Sequence, residues 1–145
     1  MNSMNIRPAG INDKQEIFGL VCLLEETDIP ADDFDKIYSA NLNNNNVFYF
    51  VSTSDNRITG FISLHIQNLL HHWGKVAEIQ ELCVEPEFRS KGTGKILLEK
   101  AITTAKENNC VLIELAASQR REKAHAFYLK NGFKNSHFKF TLDLK

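Results

Sequence analysis

The sequence predicts a single α/β domain, a mixed β-sheet with helices packed on it. Three observations carry this. Stretches with apolar residues at helical spacing alternate along the chain with stretches rich in β-branched and aromatic residues. Two of the latter, VFYFVST at 47–53 and ITGFISLHI at 58–66, are joined through the turn-forming SDNR and read as a hairpin. A third, VLIELAA at 111–117, is almost continuously apolar, as expected of a strand buried on both faces. The length of 145 residues suits one domain, 1–145, able to bury about two-thirds of its extended surface.

The elements follow in order. NIRPAG at 5–10 reads as a first strand ended by a turn at Pro8. Asn12 or Asp13 then caps a helix whose Ile17, Leu20, Val21 and Leu24 share one face. Pro30 interrupts, and DDFDKIYSANL at 32–42 is a second short helix with Asp32 or Asp33 near its start. NNNN at 43–46 is a turn, and the hairpin follows. QNLLHHWGK at 67–75 is a loop or an irregular continuation of the second hairpin strand. KVAEIQELCV at 75–84 is a further strand. Beyond Pro86 and the turn RSKGTGK comes a helix over about 94–108, with Ile96, Leu97, Ala101 and Ile102 inward. After the strand at 111–117, KAHAFYLKNG is a helix stopped by Gly132, and FKNSHFKFTLDL closes with one or two strands. The order is β-α-α-β-β-β-α-β-α-β(-β), less regular than the common nucleotide-binding sheets.

Bulk properties exclude several classes. Net charge is -1, so nothing global draws the chain to nucleic acid or an anionic membrane. Cys22, Cys83 and Cys110 lie in apolar contexts with no CxxC. That pattern fits reduced, buried thiols in a cytoplasmic protein and argues against a structural zinc site. No signal peptide or membrane span is visible.

RSKGTGK at 89–95 is the most distinctive turn. A Walker A loop would need Gly at 89 and Ser or Thr after Lys95, where Arg89 and Ile96 stand. A GxGxxG dinucleotide loop fails at Leu97. The shared physics remains: Gly92 and Gly94 allow close backbone approach, and the amides and dipole of the following helix attract an anion. Arg89, Lys91 and Lys95 add positive charge, so a diphosphate is a natural occupant. The competing reading is a solvated turn.

The stretch ELCVEPEFRSKGTGKILLEKA resembles the central motif of the Gcn5-related N-acetyltransferases, V-x-P-x-x-R-x-x-G-x-G, through Val84, Pro86, Arg89, Gly92 and Gly94. AHAFYLKNGF at 124–133 is similar to the same family's Ala-x-x-Phe-Tyr-x-x-x-Gly-Phe signature. SLHIQNLLHHWGKVAEIQELCVEP and NSHFKFT further resemble the bacterial aminoalkylphosphonate N-acetyltransferases within it. The resemblance implies a splayed mixed sheet with helices on both faces and acetyl-CoA as cosubstrate. It implies that the backbone of Leu82, Cys83 and Val84 binds pantetheine, and that Arg89, Ser90, Lys91, Gly92, Thr93, Gly94 and Lys95 hold the pyrophosphate. Tyr128 takes the family tyrosine position, next to the cofactor and as general acid. A small-molecule amine is the acceptor, and a homodimer is the expected assembly.

Acetyl transfer to an amine needs a base for the ammonium and an acid for the leaving thiolate. Glu78 and Glu81 are the candidate bases. Three apart on one strand, they face opposite sides unless a bulge intervenes. Glu81 matches the position where many family members place an acidic residue; Glu78 is preferred as lying deeper toward the acceptor. His65, His71 and His72 can bind a phosphonate, relay protons, or hold a divalent ion with Glu78. His71 and His72 are adjacent and cannot both point one way on a regular strand. Arg121, Lys75, Lys130, Lys139 and His137 are available to an anionic acceptor; Arg121 stands where many family members carry Asn at the pantetheine, in a loop with Ser118 and Arg120. Direct attack in a ternary complex leaves Cys83 and Cys110 without a nucleophilic role. The alternatives are another amine (a polyamine, an amino sugar or a protein) and a non-catalytic acyl-CoA-binding module.

Overall fold

The computed structural model describes residues 4–145. The chain forms two compact units, one reaching to Glu114 and one spanning Leu115–Lys145. In the first unit the elements are β1 (Met4–Pro8), α1 (Lys14–Glu25), α2 (Ala31–Leu42), β2 (Val47–Ser54), β3 (Arg57–Leu69), β4 (Gly74–Val84) and α3 (Thr93–Glu107). The strand β5 (Leu112–Leu115) runs across the division in the chain, its first three residues in the first unit, and α4 (Glu122–Lys130) belongs to the second unit. The five strands form one sheet in sequential order, β1-β2-β3-β4-β5, with β1 to β4 antiparallel.

The hairpin forms as expected. Asp55 and Asn56 both take positive φ, 51° and 64°, the pattern of a turn whose twist matches its strands. The next strand is longer than the apolar pattern suggested: β3 continues to Leu69, opposite Gly74 of β4. Leu70–His72 form one tight helical turn, and Trp73 at φ 40° reverses the chain. QNLLHHWGK is therefore mostly paired strand around a short turn.

Alternation on β3 separates the two faces of the sheet. Phe61 packs with Val51, Ile58 and Cys83 against Ile17, Leu20 and Val21 of α1 and Tyr38 of α2. A Cβ at neighbouring Gly60 would instead meet Leu97 Cδ1 of α3 at 2.8 Å, together with Ser52 Oγ at 2.8 Å. Helices thus cover both faces, and only glycine lets α3 come so near. The α3 residues that bury are Thr93, Leu97, Leu98, Ala101, Thr104 and Ala105; of the residues expected inward, Ile96 is exposed and Ile102 half-buried. Each fully buried Leu or Ile here contributes roughly 1.5–3 kcal/mol.

Four other expectations are corrected. Asp13 does not cap α1 through its side chain. Its carboxylate accepts from the Gly10 amide at 2.8 Å and from both Arg7 guanidinium nitrogens, at 2.8 and 3.0 Å. The strand at 111–117 is shorter, Leu112–Leu115, and is not buried: Val111 and Leu112 are exposed. Residues 133–145 form no strand. An alternating pattern makes a strand only where a neighbour completes the ladder, and among the described residues none does. Of the cysteines, only Cys83 is buried; Cys22 and Cys110 are half-buried.

The Arg7 guanidinium holds the buried Asp13 carboxyl below its usual range, and Asp13 holds Arg7 charged. A depressed carboxylate pKa stabilises the fold above the unfolded value near ~3.9 and loses that contribution as pH falls through the folded value. Asp13→Ala should therefore cost about 2 kcal/mol at pH 7 by urea unfolding. The gap between variant and parent should shrink as pH falls through that lower value. An undiminished gap in strong acid would remove the ion pair as its cause.

Candidate active site

The turn before α3 is built for close approach to an anion. Ser90 and Gly92 both lie in the left-handed region, at φ 61° and 83°. Gly92 is the N-cap, and the first hydrogen bond of the helix runs from the Ile96 amide to the Gly92 carbonyl at 3.1 Å. The amides of Thr93, Gly94 and Lys95 precede that bond and have no partner within the helix. Thr93 is buried, and its hydroxyl donates to the Phe88 carbonyl at 3.3 Å. Phe88 is flanked by Arg57 and Lys91, 5.6 and 5.5 Å from its ring centre. The Arg89 side chain donates to the Val84 carbonyl at 3.1 Å, tying the turn to the end of β4. Lys91 and Lys95 are exposed beside these amides. The arrangement fits a pyrophosphate better than a passive solvated turn.

The outer edge of β4 is only partly followed by β5. The Val111 amide donates to the Lys75 carbonyl at 2.8 Å, so β5 starts beside the beginning of β4. β5 has 4 residues and β4 has 11, so β5 cannot accompany Leu82–Val84. That stretch lies on the strand that leads into the glycine turn, suited to pairing with an extended ligand.

A bulge lies between the two glutamates. Leu64 faces Ile79, but Ile62 faces Leu82, so Gln80 and Glu81 together oppose the single residue Ser63. The bulge removes the expected opposition of Glu78 and Glu81. Glu78 faces His65, and the Glu81 carboxylate accepts a hydrogen bond from the Ser63 hydroxyl. Ser63 and His65 are two apart on β3 and point the same way. Both carboxylates therefore share the sheet face that packs on α1 and α2. The Ser63 oxygen also accepts from the Glu81 amide at 2.9 Å, so one buried hydroxyl fixes both backbone and side chain of the bulged residue.

Tyr49 extends this polar row. It faces Ser63 across the β2–β3 ladder, and its hydroxyl accepts from the Asn41 amide nitrogen at 2.6 Å. Burial pushes its phenol pKa up; Asn41 opposes this, and the nearby Glu81 charge adds to the rise. Tyr49 therefore stays protonated at neutral pH. Ser63, Tyr49 and Asn41 were missed by sequence reasoning. Their signal was faint: a serine inside the apolar run FISL and a tyrosine inside VFYFV, both ordinary strand residues.

The histidines do not converge. His65 is half-buried opposite Glu78, whereas His71 and His72 sit in the tight turn with ring centres 4.3 Å apart. Among the described residues no group of three His, Cys, Asp or Glu side chains is placed to hold a metal ion. The histidine–Glu78 metal site is thus not assembled.

The second unit carries the remaining candidates. Tyr128 is half-buried on α4, edge-on to Phe127 at 5.2 Å and to Phe133 at 5.6 Å. Arg121 is the N-cap residue of α4, and its amide donates to the Ser118 carbonyl at 3.0 Å. The same carbonyl lies 2.7 Å from His125 Nε2. Gly132, at φ 92°, follows the helix as expected. His137 is exposed and hydrogen-bonded to Ser136, and Lys130 and Lys139 are exposed. In the first unit, burial pushes the Cys110 thiol up, which suits a group with no nucleophilic role. No helix of the described residues is long and apolar enough to cross a membrane.

Comparisons with known proteins agree with this geometry. An aminoalkylphosphonate N-acetyltransferase of Salmonella typhimurium is 38% identical over 136 residues, 94% of this chain and 88% of that protein. A solved structure from Bacillus halodurans C-125, described as a transcriptional regulator, matches with a TM-score of 0.90 at 23% identity, covering 98% of this chain and all 100% of that one. Aminoglycoside N-acetyltransferase AAC(6')-Iy, solved with CoA, matches with a TM-score of 0.89 at 18% identity, covering 99% of this chain and 95% of its own. At such identities these two structures show the fold. Residues 12–133 match the Acetyltransferase (GNAT) family, so the chain belongs to that family and is an N-acetyltransferase.

Proposed function

We propose that the chain is one catalytic domain over 1–145 that transfers acetyl from acetyl-CoA to the amine of a small aminoalkylphosphonate, acting as a cytoplasmic homodimer. The observation that carries the acceptor is the 38% identity, over 94% of the chain, to an aminoalkylphosphonate N-acetyltransferase. The amides of Thr93, Gly94 and Lys95, with Arg89, Ser90, Lys91 and Gly92, would hold the pyrophosphate, and Leu82–Val84 would pair with pantetheine. Acetyl-CoA supplies the activated acyl group.

The chain's own residues then handle two protons. An aliphatic amine has a pKa of about 10, as lysine does, so it arrives charged. Glu78 accepts its proton, directly or through water, and His65 across the ladder assists. Glu81 is committed to Ser63 and holds the bulge that positions both the carboxylate face and Leu82–Val84. As the N–C bond forms and the C–S bond breaks, Tyr128 donates its hydroxyl proton to the leaving sulfur. His65, His71, Arg121 and His137 are the groups offered to the phosphonate.

Four measurements test this. A panel of 2-aminoethylphosphonate, 1-aminoalkylphosphonates, a polyamine and an amino sugar should release CoA with the phosphonates; release with the polyamine alone would reject the acceptor. Glu78→Gln should lower kcat by about 100-fold and shift the pH profile upward, as the amine must deprotonate unaided. Glu81→Gln should disturb KM for acetyl-CoA more than kcat; the reverse split would make Glu81 the base. Tyr128→Phe should lower the acetyl-transfer rate by about 100-fold while acetyl-CoA affinity stays within about threefold. Full activity of that variant at every pH would remove Tyr128 as the acid.

A further inference from the structure

The polar row on the α1 and α2 face holds hydrogen-bonding capacity that the chain itself does not use. The Ala9 amide donates to the Tyr49 carbonyl at 2.8 Å, so the backbone of Tyr49 turns away from β3. Tyr49 and Ser63 are therefore a non-hydrogen-bonded cross-strand pair, the kind whose side chains stand closest. Ser63 in turn donates to Glu81, so the three side chains adjoin on one face of the sheet. Each end of the row has one bond made and one left. The Tyr49 hydroxyl oxygen accepts from Asn41 Nδ2 at 2.6 Å, which leaves its own proton to be given elsewhere. One Glu81 oxygen accepts from Ser63, which leaves the other to accept. Among the described residues neither has a further partner. The Tyr49 ring is also held, with Tyr38 at 5.4 Å and Phe61 at 5.3 Å between ring centres. A donor so fixed is pre-organised for a ligand.

We propose that Tyr49 and Glu81 together read the headgroup of the acceptor and select a phosphonate that keeps one proton. The inference rests on the aminoalkylphosphonate reading above. A phosphonate monoanion carries both partners the row asks for: a P–O oxygen that accepts from Tyr49, and a P–OH that donates to the second Glu81 oxygen. A carboxylate or a sulfonate is ionised at neutral pH and has no proton to give. Either would meet the Glu81 charge without a compensating bond, as would a phosphonate dianion. The second pKa of a phosphate monoester is about 6. A phosphonate, without the ester oxygen, keeps its second proton to higher pH, so the required form is abundant near neutrality. A positive group draws every anion alike; a carboxylate beside a neutral donor tells one anion from another. Glu78, opposite His65 on the same face, is left to the amine.

Headgroup binding without turnover tests this, by calorimetry on the full, CoA-saturated chain with ethylphosphonate and ethanesulfonate at about pH 6. The parent should bind ethylphosphonate about tenfold or more tightly than ethanesulfonate. Glu81→Gln presents an amide N–H where the carboxylate repelled an anion, so the two ligands should come within about threefold of each other. A role for Glu81 in the bulge alone would not move that ratio. Tyr49→Phe should weaken ethylphosphonate about tenfold while acetyl-CoA affinity stays within about threefold. Far-UV circular dichroism reports whether each variant folds. A Glu81→Gln chain that keeps the parent's preference would overturn the proposal and leave the acceptor reading standing. So would a Tyr49→Phe chain that binds ethylphosphonate as the parent does, or a parent that binds both anions alike. A parent that binds neither would overturn the acceptor reading with it.

Discussion

The two hydrogen bonds of Ser63 to Glu81 set the geometry on which the site depends. Upstream of the bulge, β3 and β4 pair so that Leu64 meets Ile79 and His65 meets Glu78. Continued unbroken, that register would place Glu81 opposite Ile62, on the face that receives Leu97 and Leu98 of α3. A carboxylate there would be buried without a partner, at a cost of several kcal/mol. The extra residue turns Glu81 to the other face, where a hydroxyl meets it. It also brings Cys83 opposite Phe61, so that Cys83 joins the core beneath α1 and α2. One bulge therefore places the carboxylate, restores the core and fixes the phase of the edge at Leu82–Val84.

Local features were largely legible in the amino-acid order. The helix face of α1, the end of α4 at Gly132, the hairpin turn at Asp55 and Asn56, and the glycine turn before α3 each depend on residues within a few positions of one another. Features that depend on a distant partner were not. Asp13 looked like an ordinary cap, but Arg7 competes for its carboxylate. The opposition of Glu78 and Glu81 followed from strand parity, which a serine on another strand overrides. Ile96 and Val111 are as apolar as their buried neighbours, and only packing decides that they stay exposed.

The site divides its physics between two kinds of group. At the α3 turn the attraction for an anion comes from backbone: unpaired amides oriented by two left-handed residues, needing no particular side chain beyond glycine. Such a cradle is legible from glycine spacing but indifferent to the acceptor. On the β2–β3–β4 face the groups are side chains, and their protonation matters. Tyr49 is kept neutral by burial and by Glu81, while Ser63 and Asn41 donate hydrogen bonds that orient their neighbours. A row of this kind can move or hold a proton, which the cradle cannot.

Strand-pairing irregularities bound the molecule at two levels. In β4 an extra residue breaks the ladder, and a side chain from the adjacent strand repairs it inside the same unit. In residues 137–145 the ladder is missing, and no side chain can supply it, because a strand's backbone and its alternating apolar face must be met by another strand of matching period.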